Sequence, residues 1–198
     1  IGPISDDVYG INDQVSFEVS DVPNYPSFRW GGNHSSRYNY QVNASNHAKD
    51  WFFMNIPYSY NKKLSRVDYL VEKAIKRGAK LLITVPMLSF VAKDRRYRWS
   101  YPVSVFGKQQ QAEKDHSNGQ AGNGVLLDGR KLAKTDTALT SKRVDEKFVK
   151  QWVASLKKRI AGRIPLYFAL DNEPMLWHET HKDLRFSDAN ISSPRMGY

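Results

Sequence analysis

Short apolar runs alternate with amphipathic stretches along this 198-residue chain. Leu81-Leu82-Ile83-Thr84-Val85 and Leu166-Tyr167-Phe168-Ala169-Leu170 are almost uninterrupted, which suits parallel strands buried on both faces. Weaker strand candidates precede them at Val8 to Asn12 and Ser27 to Trp30. A helical pattern stands directly ahead of each strong strand. The first opens at Ser65-Arg66-Val67-Asp68, a capping box with Asp in place of Glu. It carries Val67, Leu70, Val71, Ala74 and Ile75 on one face and meets Gly78 where a left-handed C-cap falls. The second helix sets Val144, Phe148, Val149, Trp152, Val153, Leu156 and Ile160 on one side, with Lys147, Lys150, Lys157 and Lys158 elsewhere and Gly162 at its end.

Helix leading into buried strand, repeated, is the signature of βαβ units and an α/β fold. Residues 86–141 break the rhythm with Gln109-Gln110-Gln111, Ser117-Asn118-Gly119 and Gly122-Asn123-Gly124. Such a long irregular stretch is expected only where it is functional, as in the strand-to-helix loops that build a barrel's active face. About four strands are counted, whereas a complete (β/α)8 TIM barrel takes about 250 residues. The expectation is one partial barrel over residues 1–198, strands 1 to 4 with a long loop at 86–141, and no complete second domain.

Composition narrows the classes. Twenty-five aromatic residues argue against a solvated, disordered chain. No apolar run reaches the ~20 residues that span a bilayer, so no membrane partner is expected. The first residues, Ile1-Gly2-Pro3-Ile4-Ser5, show no signal peptide, which is read as absent or removed. Cysteine is absent, which rules out disulfides and thiolate metal sites. The net charge of +10 invites a nucleic-acid reading. Yet residues 130–163 hold eleven Lys and Arg against three Asp and Glu, much of it on one predicted helix. That is the pattern of a solvated outer face, and no nucleic-acid partner is expected.

Candidate chemistry gathers where strands end. Leu170-Asp171-Asn172-Glu173-Pro174 runs a strand into a carboxylate and then a proline, which halts further pairing. In a barrel this puts Glu173 at the C-terminal rim. There a carboxylic acid can protonate a glycosidic oxygen, and Asn172 can bond a sugar 2-hydroxyl. Taken alone, Asn172-Glu173-Pro174 also reads as an acidic strand-end cap. In Phe28-Arg29-Trp30-Gly31-Gly32-Asn33 a strand again ends in a polar cluster, and Arg29 can orient a carboxylate or hold it ionised. Trp30, Tyr38, Tyr40, Trp51, Trp99, Tyr101 and Trp177 fall mostly in predicted rim loops, whereas Trp152 sits at helical spacing and reads as core. Sugars need rings to stack on and amide or imidazole groups for their hydroxyls. Segments 33–47 and 171–181, with Asn33 and His181 among them, supply both.

Metal chemistry fits less well. His178-Glu179-Thr180-His181 lacks the His-Glu-x-x-His spacing of zinc hydrolases. Asn123, Asp128, Asp136 and Asp145 offer oxygens for a structural calcium ion, although their spacing is not that of a helix-loop-helix calcium loop. No metal is assigned and no cofactor is required.

Taken in order, the motifs resemble glycoside hydrolase family 44. The carrying stretches are Val8-Tyr9-Gly10-Ile11-Asn12, Arg29-Trp30-Gly31-Gly32-Asn33, Tyr38-Asn39-Tyr40 with Asn43-Ala44-Ser45-Asn46, and Asp50-Trp51. Further along come Tyr101-Pro102-Val103-Ser104, Phe106-Gly107-Lys108-Gln109-Gln110, and the run from Ala169 through Glu173 to His181. After His181 the run Lys182-Asp183-Leu184 departs from the family's usual His-Pro continuation. The resemblance implies a secreted bacterial enzyme that cleaves β-1,4-glucans such as cellulose and carboxymethylcellulose, and also xyloglucan, from within. It implies a (β/α)8 barrel with a small β-sandwich that the N-terminal segment touches and that is largely absent from this chain. It further implies Glu173 as acid/base, Asn172 at the 2-hydroxyl and Arg29 at the cleaved sugar, in a retaining reaction. The expected substrate contacts are Asn172, Arg29, Trp30, Asn33, Tyr40, Trp51, Trp177 and His181. The nucleophilic glutamate is expected on the seventh strand, C-terminal to these residues, in the missing half of the barrel. The chain alone is therefore expected to be inactive. The alternative reading is a carbohydrate-binding protein without hydrolysis.

Overall fold

The computed structural model describes residues 2–5, 8–12, 25–58, 64–132 and 135–184. Four parallel strands form its central sheet, β1 (Gly10–Asn12), β2 (Ser27–Trp30), β3 (Lys80–Val85) and β4 (Leu166–Leu170), and their order in space follows their order in sequence. The pairing sets Phe28, Leu81 and Leu166 in one row across the sheet and Trp30, Ile83 and Phe168 in the next. Side chains alternate faces along a strand, so these rows share a face while Asn12, Arg29, Leu82 and Tyr167 share the other.

Two helices cover the first face. Helix α1 (Arg66–Arg77) starts at a complete capping box between Ser65 and Asp68 and stops at Gly78, whose φ of 63° is left-handed. Helix α2 (Glu146–Ile160) is capped by the Asp145 side chain. Its left-handed C-cap is Ala161, one residue before the expected Gly162, and Val144 lies ahead of its first turn. Val67, Leu70, Val71 and Ala74 of α1 join Trp152, Leu156 and Ile160 of α2 and the first-face strand residues in one core. Each fully buried Leu, Ile or Val there contributes about 1.5–3 kcal/mol. The α2 lysines 147, 150, 157 and 158 are exposed, so much of the positive charge of this segment is solvated. Among the described residues no helix is long and apolar enough to cross a membrane.

Two expectations are corrected. First, β4 is not buried on both faces. Among the described residues it pairs with β3 alone; Leu166 and Phe168 pack on the core while Tyr167 is 54% and Leu170 70% exposed. An apolar run records the strand but not whether a neighbour covers it. Second, residues 86–141 are not featureless. Phe90–Ala92 pairs antiparallel with Ser141–Arg143, and Ala112–Glu113 with Ala121–Gly122. Arg98–Trp99 joins a second four-stranded sheet with Met54–Pro57, Ala44–Asn46 and Tyr38–Asn39. This sheet lay below detection because its strands are two to four residues long, too short for an alternation to register.

Candidate active site

Every group that converges on Glu173 comes from the C-terminal end of the parallel sheet. Beyond β4 the chain turns through Asp171 and Glu173, both at positive φ (60° and 44°). Such a conformation costs a non-glycine residue about 1–2 kcal/mol, so something must hold it. The holder is Asp171. Its buried carboxylate accepts from Ser36 Oγ, from the backbone N–H of Met87 at 2.6 Å and Leu88 at 3.2 Å, and from Asn172 N at 2.6 Å. Burial pushes its pKa above the ordinary carboxylate value despite these donors. One side chain thereby ties together the ends of β2, β3 and β4. Pro174 then opens a single 3-10 turn, Pro174–Leu176, which runs into the short helix α3 (Trp177–Thr180).

Asn172 is the centre of the cluster. Its Oδ1 accepts from Arg29 at 3.1 Å, and its Nδ2 donates to Asn33 Oδ1 at 3.1 Å and to Glu173 Oε2 at 3.2 Å. Guanidinium can only donate, so Arg29 alone fixes which way this amide points, with Oδ1 toward the arginine and Nδ2 toward Glu173. Arg29 reaches Asn12 Oδ1 with its other terminal nitrogen at 3.4 Å, and Asn33 donates to both oxygens of Asp50 at 3.0 and 3.1 Å. The Trp177 indole N–H donates to the Asn172 carbonyl at 3.2 Å. Gly31 gives Arg29 its room, since a Cβ there would stand 2.6 Å from the guanidinium Nε. Glu173 itself is exposed. The result is a solvent-facing carboxyl set by an amide that is set in turn by an arginine.

Of the residues named from sequence, Glu173, Asn172, Arg29 and Asn33 meet here. Trp51 is 40% exposed beside Phe52 on the turn that carries Asp50. Of the four others, three are buried and Tyr40 is half-buried. Trp30 is fully buried, because it follows Arg29 in a strand and must point to the opposite face. Tyr40 stacks on Trp152 with ring centroids 5.8 Å apart, and so belongs to the packing of α2. Trp177 packs against Leu88, Phe90 and Leu184. His181 is wholly buried, and among the described residues neither ring nitrogen has a hydrogen-bond partner. Of the further rim aromatics, Tyr38 and Tyr101 are also fully buried. Asp171, Asn12, Asp50 and Ser36 carry no role in the sequence reading, whereas Gly31 is one of two glycines marked in it for close backbone approach. Asp171 and Asn12 do end strands in the sequence, a usable signal, whereas Ser36 carries none.

Three histidines stay neutral inside the fold. Burial, then His47, lowers His34 to about 3. Burial, then Arg66, lowers His47 to about 4. His181 is held well below its ordinary value by burial and then Arg37. Near His181, Arg37 is fully buried and pairs with Asp183 at 2.8 Å, with Asn46, Thr140 and Ser141 accepting from its terminal nitrogens and Ser100 donating to the same carboxylate. The oxygens considered for calcium serve local structure. Asn123 accepts from Val125 N, Asp128 pairs with Arg130, and Asp136 and Asp145 cap helical turns. Among the described residues no three His, Asp or Glu side chains gather around a common point.

Comparison with known proteins accords with this arrangement. The sequence profile of glycoside hydrolase family 44 matches residues 44–191. Endoglucanase A of Paenibacillus lautus is 26% identical over 192 residues, which are 90% of this chain and 25% of that protein. CelM2, a bifunctional glucanase-xylanase from a metagenome library, superposes with a TM-score of 0.81 at 31% identity over 93% of this chain and 36% of its own. A family 44 xyloglucanase from Paenibacillus polymyxa shares the fold, with a TM-score of 0.56 and 23% identity over 91% of this chain and 35% of its own. The chain thus spans about a quarter to a third of the length of these relatives. With the profile covering most of its residues and the strand-end cluster in place, this chain belongs to glycoside hydrolase family 44.

Proposed function

We propose that this chain carries the acid/base half of a retaining endo-β-1,4-glucanase, in the first four βα units of a (β/α)8 barrel. The observation that carries the reading is the bonded line Arg29–Asn172–Glu173 on the C-terminal edge of a parallel sheet, with the carboxyl facing solvent. In the first step the Glu173 carboxyl gives its proton to the glycosidic oxygen as that bond breaks. In the second the resulting carboxylate takes a proton from the attacking water. Asn172 holds the carboxyl in line and lies where a sugar 2-hydroxyl can bond to it, and Arg29 fixes the amide. Double displacement also needs a nucleophilic carboxyl about 5–5.5 Å from the acid. The reading assigns that group to the portion of the domain that the longer relatives possess and these residues do not cover. Cellulose, carboxymethylcellulose and xyloglucan are the substrates proposed, in an extracellular bacterial setting.

The test uses the parent protein with Glu173→Gln. Turnover of soluble β-1,4-glucan, read as reducing ends, is expected to fall about 10²–10⁴-fold. An aryl glucoside whose leaving group needs no proton should retain its first step. Equal, non-zero polysaccharide turnover in both proteins would remove Glu173 from the role. Sugar affinity without turnover in either would favour a binding protein. The 198-residue chain alone is expected to bind glucan without cleaving it.

A further inference from the structure

A pocket lies between the turn at Ala48–Trp51, the loop around Gln111 to Lys131 and helix α3. Its volume is about 330 Å³, within the ~300–1,000 Å³ range of ligand sites. Lys49, Lys131 and Lys182 line it, with the amides of Gln111 and Asn123 and the ring of Phe53. Lys49 is neutralised by Glu179 at 2.8 Å. Among the described residues neither Lys131 nor Lys182 has a carboxylate at ion-pair distance.

Lys182 is the telling member. Its ammonium stands 5.3 Å from the ring centroids of both Phe53 and Tyr101 and donates to the Gly124 carbonyl at 3.1 Å. Its pKa is lowered by burial, and then by Lys131 and Lys49. A half-buried ammonium facing other ammonium groups is relieved by an anion, and a carboxylate or phosphate is the anion it fits. The pocket and the cluster draw on the same two elements. Lys49 precedes Asp50, which anchors Asn33, and Glu179 lies on the same short helix as Trp177, which anchors Asn172. A chain of sugars crossing the rim would therefore reach both places, and the two amides suit hydroxyl groups.

We infer that this pocket is a subsite for an acidic sugar, with Lys131 and Lys182 receiving the carboxylate of a substituted or uronic-acid unit on the polysaccharide. The assignment rests on the glycan reading above. It makes carboxylate-bearing glucans preferred over neutral ones.

Affinity electrophoresis of the chain through carboxymethylcellulose and through neutral hydroxyethylcellulose tests it. The wild type is expected to be retarded several-fold more by the carboxylated polymer. Lys131→Gln, at an exposed position, and Lys182→Met are expected to bring that retardation down to the neutral level, with hydroxyethylcellulose binding unchanged. The chain is basic overall, so Lys147→Gln on the outer helix serves as the charge control and should leave the preference intact. Equal loss in the control and in Lys131→Gln would overturn the subsite, as would equal retardation of the wild type by both polymers. Binding to neither polymer would sink the glycan reading itself. Free glucuronate should abolish the preference where inorganic phosphate at matched ionic strength does not. The reverse order would overturn the sugar assignment.

Discussion

Arg29 and Arg37 lie on neighbouring elements and are treated in opposite ways. Arg37 is sealed inside, with a carboxylate, two hydroxyls and an amide around its guanidinium. Arg29 is half-buried and donates to the amide oxygens of Asn12 and Asn172. Among the described residues it has no carboxylate partner. A guanidinium whose charge is matched within the protein holds loops together. One left with neutral acceptors keeps its field for whatever enters beside it. The same residue type is structural in one place and poised in the other, and the partners decide which.

Arg37→Met should have the largest effect on folding. It strands the buried Asp183 carboxylate, and the chain is expected to lose about 3–5 kcal/mol in chemical denaturation. Arg29→Met should cost far less stability. If both substitutions destabilise equally, the contrast fails. Next is acid sensitivity. His34 and His47, lowered to about 3 and about 4, remain neutral when folded but take up protons near pH 6.5 when unfolded. Their contribution is complete above about pH 6.5 and lost as pH falls toward those values, at up to about 1.4 kcal/mol per histidine per pH unit. His181 behaves alike, so His181→Leu should lower the proton uptake on unfolding by about half a proton at pH 6.5, rising to about one at pH 5. An unchanged slope would mean that His181 charges freely in the native state. The smallest effect on stability is expected from Gly31→Ala. The atoms nearest its new methyl belong to the movable end of Arg29, so melting should shift little. Activity of the parent protein, however, should approach that of Arg29→Met. A fully active Gly31→Ala would detach Arg29 from the reaction.

What the sequence disclosed follows from the range of the interactions involved. The strands at 80–85 and 166–170 and the Ser65 cap depend on neighbours along the chain, and periodicity reveals them. Glu173, Asn172, Arg29 and Asn33 were legible because strand ends and turn residues mark a rim. The burial of Trp177 and His181 was not, because it is decided by Leu88, Phe90 and Arg37, which come from distant segments. Trp30 is a different case: strict alternation with Arg29 already excluded it from the rim. The role of Asp171 depends on Ser36 and on the amides of Met87 and Leu88, which no local pattern connects.

The left-handed backbone at Glu173 has a consequence for the history of this turn. Glycine there would relax the chain by about 1 kcal/mol, so selection for sturdiness alone should have replaced the glutamate. A variant Glu173→Gly that melts higher than its parent yet leaves glucan intact would identify this position as one where proteins surrender durability to keep a reaction.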